Sequence, residues 1–175
     1  GLRAGCQQVV FGEGRPGLLV IGEGPGADED RLGRPFVGAA GQLLDKILAA
    51  GGFDRKSNAY IANVVKCRPP ANRIPTAQEC AACLPHLKMQ LEILKPKIVL
   101  LLGATALHAV LQSSQGITRA RGHWQDRDGI YYLPTFHPAA LLRDPRRKVE
   151  VWQDIQNLVA KYREMVDPNH TAPFC

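Results

Sequence analysis

No apolar run in this 175-residue chain is long enough to cross a bilayer, since a spanning helix needs roughly 20 such residues. A membrane protein is therefore not expected. The chain also lacks an opening charged stretch, apolar stretch and cleavage site. Export is not expected, and the cytoplasm is the expected compartment. Low-complexity segments and strong linkers are missing. Gly12-Glu13-Gly14 echoes Gly22-Glu23-Gly24, but two matches this short are no repeat. One domain over 1–175 is expected, acting as a monomer, with a loose tail from about residue 167. An even cysteine count is lacking too: the five are Cys6, Cys67, Cys80, Cys83 and Cys175. With no export signal, reduced thiols or metal ligands fit them better than disulfides.

The composition is that of an ordinary soluble protein, 45% hydrophobic and 22% charged. A formal charge of +6 and a pI of about 9.2 suit a polyanionic partner without identifying one. Segments 17–22 (GLLVIG), 59–65 (AYIANVV), 97–103 (KIVLLLG) and 130–133 read as strands. Helical spacing appears at 41–50, 104–111 and from about 145 to 164. Thr76 caps a further helix over 76–94, with Glu79 completing a capping box. Strands that are apolar throughout and alternate with helices predict a three-layer α/β/α fold. Its centre would be a mostly parallel four-stranded sheet. Sites in such sheets gather at the carboxyl ends of strands, where 22–36, 63–72 and 135–143 fall.

Each of these stretches has a bland and a functional reading. The glycines at 22, 24 and 26 either make a tight turn or let a backbone donate amides to a ligand. A dinucleotide site ranks below both, because the spacing is not G-x-G-x-x-G, Pro25 intrudes, and no clear acidic ribose partner ends the second strand. Phe36 is local core or a flat face for an extruded base. Asn63, within an apolar strand, ties backbone or reads a ligand with both donors and acceptors. Cys67 and Cys83 are buried thiols or ligands of a metal or cluster. His137, before Pro138, suits a pocket, whereas His86, His108, His123 and His170 read as structural or solvated. Leu141 and Leu142 precede Arg143 and the basic run 146–148. They form either the first turn of the last helix or an apolar wedge beside phosphate-binding cations.

In order, GEGPGADE from Gly22, GRPFVG from Gly33, NVVKCRPP from Asn63, Cys83 and His137-Pro138 resemble the family 4, iron–sulfur uracil-DNA glycosylases. The resemblance covers roughly residues 6 to 160. It implies an enzyme that flips uracil out of DNA and hydrolyses its N-glycosidic bond, initiating base excision repair. It puts Glu23 and Gly24 in the uracil pocket, Phe36 against the flipped base, Asn63 on the uracil edge and His137 on the uracil oxygen. Glu29 and Asn72 match further pocket positions and are candidates for orienting the attacking water, since other uracil glycosylases carry an aspartate where Gly24 stands. Leu141 or Leu142, with Arg143, would occupy the DNA. Cys67 and Cys83 match two of four ligands of a structural [4Fe–4S] cluster, with two further cysteines expected upstream of Gly1. Cys6 and Cys80 are then spare, although Cys6, Cys67, Cys80 and Cys83 together would resemble a zinc site. No histidine lies between Cys67 and Cys83, so the covalent DNA adduct of one related family is not expected. Two rivals remain: a catalytically silent DNA-binding module of the same fold, and a nucleotide-binding α/β enzyme.

Overall fold

The computed structural model describes residues 1–174, and Cys175 lies outside them. Among the described residues the sheet has six strands: β1 (Glu13–Gly14), β2 (Leu18–Gly22), β3 (Ala59–Asn63), β4 (Ile98–Leu102), β5 (Gln125–Arg127) and β6 (Ile130–Thr135). Their order is β1-β3-β2-β4-β6-β5. The four expected strands form the parallel centre. The sheet as a whole is mixed, because β1 and β5 add antiparallel edges that the four-stranded expectation left out. Both edges are very short and lack an apolar run, so their pairing comes from the neighbouring strand rather than from their own pattern.

Every residue of β2 and β4 is buried, and alternate side chains enter two separate cores. Leu18 and Val20 belong to one, with residues of α2 (Ala39–Ala50), α6 (Pro138–Arg143) and α7 (Lys148–Met165). Leu19 and Ile21 belong to the other, with α3 (Ala77–Leu94) and α4 (Gly103–Leu111). Helices thus cover both faces, as parallel strands require. Thr76 caps α3 in the expected box: its side chain accepts from the Glu79 amide at 3.2 Å while Glu79 accepts from the Thr76 amide at 2.8 Å. Two short helices, α1 (Ala27–Leu32) and α5 (Ile117–Ala120), complete the set. Among the described residues no helix is long and apolar enough to cross a membrane.

Two expectations are corrected. The segment after 167 is not loose: His170 is buried, stacks on Phe53 at 4.6 Å and has its Nε2 2.8 Å from the Gly51 carbonyl. Arg163 also donates to the His170 carbonyl at 2.8 Å. Leu141 and Leu142 are not the first turn of the last helix. They belong to α6, which Pro138 opens, and a tight turn over 145–147 separates it from α7.

Candidate active site

The carboxyl ends of β2, β3 and β6 converge on a cavity of about 360 Å³. Glu23, Gly24, Glu29, Phe36, Asn63, Asn72 and His137 all line it. Gly22 pairs with Asn63 across β2 and β3, and its lack of a side chain makes the arrangement possible. A Cβ there would collide with the Phe36 ring and lie 2.7 Å from Asn63 Oδ1.

Asn63 is 1% exposed, and neither its Oδ1 nor its Nδ2 has a partner. These are the only buried unpartnered side-chain atoms among the described residues. Leaving a buried donor or acceptor unpaired costs about 1–3 kcal/mol, so the amide is poised for a ligand that offers one acceptor and one donor.

Phe36 is buried with φ of 52°, a left-handed conformation that costs a non-glycine residue on the order of 1–3 kcal/mol. Its ring centroid is 5.5 Å from that of His137, with the planes tilted by 32°. Glu29 fixes the neighbouring backbone. Its Oε1 accepts from the amides of Val37 and Gly38, each at 3.0 Å, and its Oε2 from that of Gly26 at 3.2 Å.

His137 caps α6, its Nδ1 accepting from the Ala139 amide at 3.1 Å. With Nδ1 as acceptor, the neutral ring carries its proton on Nε2, which is left as a donor. Burial, aided by the nearby charge of Arg143 and opposed by that of Glu29, lowers its pKa to about 4. The imidazole is therefore neutral at physiological pH.

Glu23 holds its carboxylate by accepting from Thr105 Oγ1 at 2.5 Å. Thr105 escaped the sequence reading, although it lies in the first turn after β4, at the strand end where such groups gather. Asn72 stands exposed at the rim, with φ of 56° after Ala71 at 51°. Its Oδ1 accepts from Arg68 Nε at 2.8 Å.

Three expected site residues lie on α6, outside the cavity lining. Leu142 is 51% exposed and Leu141 only 1%. Leu141 packs in the core with α2 and α7, so its place in the DNA-contacting set is corrected: leaving that core would cost the burial of a whole side chain. Arg143 is exposed beside Leu142.

Cys67 is buried and Cys83 half-buried. Both line a second, mainly apolar cavity of about 690 Å³ that also includes Gly1, Leu2 and Arg3. Burial, with contributions from Cys6 and Cys83, pushes the Cys67 thiol up to about 12. Cys80 lines a different cavity, with Thr105 and His108. Among the described residues no three His, Cys, Asp or Glu side chains form a group that could hold a metal ion by themselves.

The chain matches the family model described as the uracil DNA glycosylase superfamily over residues 9–156. It is 46% identical over 154 residues to a type-4 uracil-DNA glycosylase of Thermotoga maritima, covering 85% of this chain and 80% of that protein. With a type-4 uracil-DNA glycosylase of Pyrobaculum aerophilum it shares 42% identity over 152 residues, 82% of this chain and 77% of the relative. A third, from Sulfurisphaera tokodaii, is 38% identical over 159 residues, 85% of this chain and 72% of the relative.

Proposed function

The chain belongs to the uracil DNA glycosylase superfamily, and we propose that it is a uracil-DNA glycosylase, drawing uracil out of DNA and hydrolysing its N-glycosidic bond to begin base excision repair. The observation that carries this reading is the buried, unpartnered Asn63 amide in a cavity shared with Phe36 and His137. Uracil presents a carbonyl oxygen beside an N–H. Asn63 Nδ2 would donate to the first and Oδ1 accept from the second. Cytosine reverses that pattern and would leave buried groups unpaired, which is a strong basis for rejection. Phe36 supplies the face on which an extruded base stacks.

As the glycosidic bond breaks, the sugar becomes oxocarbenium-like and the uracil takes up negative charge. His137 Nε2–H is the donor for the uracil oxygen, and amides near Gly24 add to it. A donor aimed at charge that develops only in the transition state can contribute about 10²–10³ in rate. Water must then reach the sugar. Glu29 has both oxygens occupied by backbone amides, and Asn72 Oδ1 is taken by Arg68. Glu23, with only Oε2 bonded to Thr105, offers Oε1 to orient that water. Leu142 would fill the stack vacated by the base, with Arg143 on a phosphate. The protein is expected to act as a monomer in the cytoplasm.

Cys67 and Cys83 fit as two ligands of a [4Fe–4S] cluster, because both thiols line one cavity, beside Gly1–Arg3. Such a group would supply a rigid crosslink that orders the loop after Cys67. Hydrolysis of a glycosidic bond transfers no electrons, so no redox role follows.

The deciding experiment is excision from oligonucleotides carrying uracil, with cytosine and thymine controls. Release of uracil alone is expected. A protein that binds the DNA but leaves uracil in place would be the silent module instead. Saturable binding of a free nucleotide with indifference to DNA would restore the nucleotide-enzyme reading.

A further inference from the structure

Phe36 sits in a backbone conformation it would not choose, and α2 presses against it. A Cβ on Gly41 would overlap the Phe36 carbonyl. Close packing alone does not fix a peptide plane, however. Two dihedrals must be held: φ, which orients the Pro35 carbonyl relative to Phe36, and ψ, which orients that of Phe36 itself.

Both carbonyls accept from one guanidinium. Arg55 Nη1 donates to the Pro35 oxygen at 2.5 Å, and Nη2 donates to the Phe36 oxygen. Arg55 comes from the turn before β3, and its side chain is only 11% exposed. Its charge is balanced by Glu13 at 3.0 Å and Asp45 at 2.9 Å, with Glu13 also gripped by Arg34 at 2.9 Å. The peptide after Phe36 is thus held from both sides, its carbonyl by Arg55 and its N–H by Glu29.

We propose that Arg55 is a positioning residue for base stacking: its planar fork clamps both dihedrals of Phe36 and so keeps the ring in the base-binding cavity. The fork geometry matters, because a lysine ammonium lacks two coplanar, rigidly spaced donor nitrogens. Removing the clamp lets Phe36 relax to an extended conformation and carries its ring away from His137. The inference rests on the reading of Phe36 as the stacking surface.

The test compares Arg55→Met, Arg55→Lys, Phe36→Leu and the double variant Arg55→Met/Phe36→Leu on a uracil-containing oligonucleotide. A 4-fluorophenylalanine introduced at position 36 reports the ring's surroundings by ¹⁹F NMR, independently of activity. Phe36→Leu should lower kcat/KM by roughly 5- to 150-fold, the range for losing one base-stacking ring. Arg55→Met should lose a comparable factor, split between kcat and KM in the same way, and the double variant should be no worse than Phe36→Leu alone. The fluorine resonance should move in both Arg55 variants. Arg55→Lys retains a cation for Glu13 and Asp45, so it serves if the methionine variant fails to fold. A fluorine signal unchanged by Arg55→Lys, or losses that multiply in the double variant, would overturn the inference. Failure of the underlying reading has a different signature: Phe36→Leu would excise uracil at the unaltered rate, and the stacking role assigned to Arg55 would fall with it.

Discussion

Replacing Asn63 by leucine should make this protein more stable and nearly inactive. The two side chains share the same branching and heavy-atom count, leucine being the bulkier, so the exchange removes polarity without opening space. Both amide atoms are buried without a partner in the protein, and each such atom costs about 1–3 kcal/mol. Removing both in a pocket that still has to fit a branched side chain recovers part of that sum, on the order of 1–3 kcal/mol. For a domain of this size the gain corresponds to a Tm rise of roughly 2–10 °C. Activity moves the other way. Two hydrogen bonds to the uracil edge disappear, and the base's own polar atoms are left unpaired in the cavity, so kcat/KM should fall by about 10²–10⁴. Thermal melts and single-turnover excision on the same preparation measure both. Free uracil should raise the Tm of the parent protein, by mass action, and leave that of the variant unchanged. A Tm lowered by the substitution would mean that the amide is already satisfied, for instance by ordered water, and the argument from an orphaned group would fail. Unchanged excision would remove Asn63 from the pocket assignment altogether.

Three further outcomes follow from the geometry. The imidazole of His137 is held at about 4 against an ordinary 6.5, so its NMR titration should lie far below 6.5, with Nε2 carrying the proton at neutral pH; a midpoint near 6.5 would refute the burial argument. Because the unfolded chain takes up that proton first, His137 should lower stability progressively as pH drops from about 6.5 to 4, a slope absent from His137→Gln in urea titrations. Leu142→Ala should impair excision from duplex DNA more than from single strands and leave the Tm nearly unchanged, whereas Leu141→Ala should cost about 2–5 kcal/mol of stability as a core truncation; equal behaviour of the two would undo the distinction drawn from their exposure. Thr105→Val should lower the excision rate through Glu23, and Thr105→Ser, which restores the hydroxyl, should recover most of it; valine and serine variants of equal rate would disconnect Thr105 from the site.

The central strands were legible because burial on both faces leaves a continuous apolar run, as in 18–22 and 98–102. The edges were not, since Glu13–Gly14 and Gln125–Arg127 contribute backbone to a ladder and nothing periodic to the sequence. The tail misled for a similar reason: His170 reads as a polar loop residue, and its partners Phe53 and Gly51 lie more than a hundred positions away in sequence. Phe36, Asn63 and His137 were found as residue types at strand ends and in a glycine-rich loop, and they do meet in one cavity. Which of two adjacent leucines faces solvent depends on how α6 packs, which a six-residue element does not declare. Arg55 and Thr105 were invisible because each acts through one other residue, and the pairing exists only once the chain has folded.

The three groups at the centre of the cavity differ in when they act, and this divides their effects on the reaction. Asn63 meets the uracil edge, whose donor and acceptor are already in place before the bond breaks, so its hydrogen bonds form in the ground state and serve binding first. It decides which base is held. Phe36 belongs with it, since a ring stacks on the base throughout. His137 differs, because the oxygen it faces gains charge only as the bond breaks. A neutral donor is better suited to this than a cation: an imidazolium would bind any electron-rich oxygen tightly beforehand, while a neutral N–H strengthens mainly as the charge appears. The burial that lowers the His137 pKa therefore favours the transition state over the bound substrate. Substitutions at Asn63 and Phe36 should accordingly weaken binding and base selection, and those at His137 should act on kcat with KM little changed.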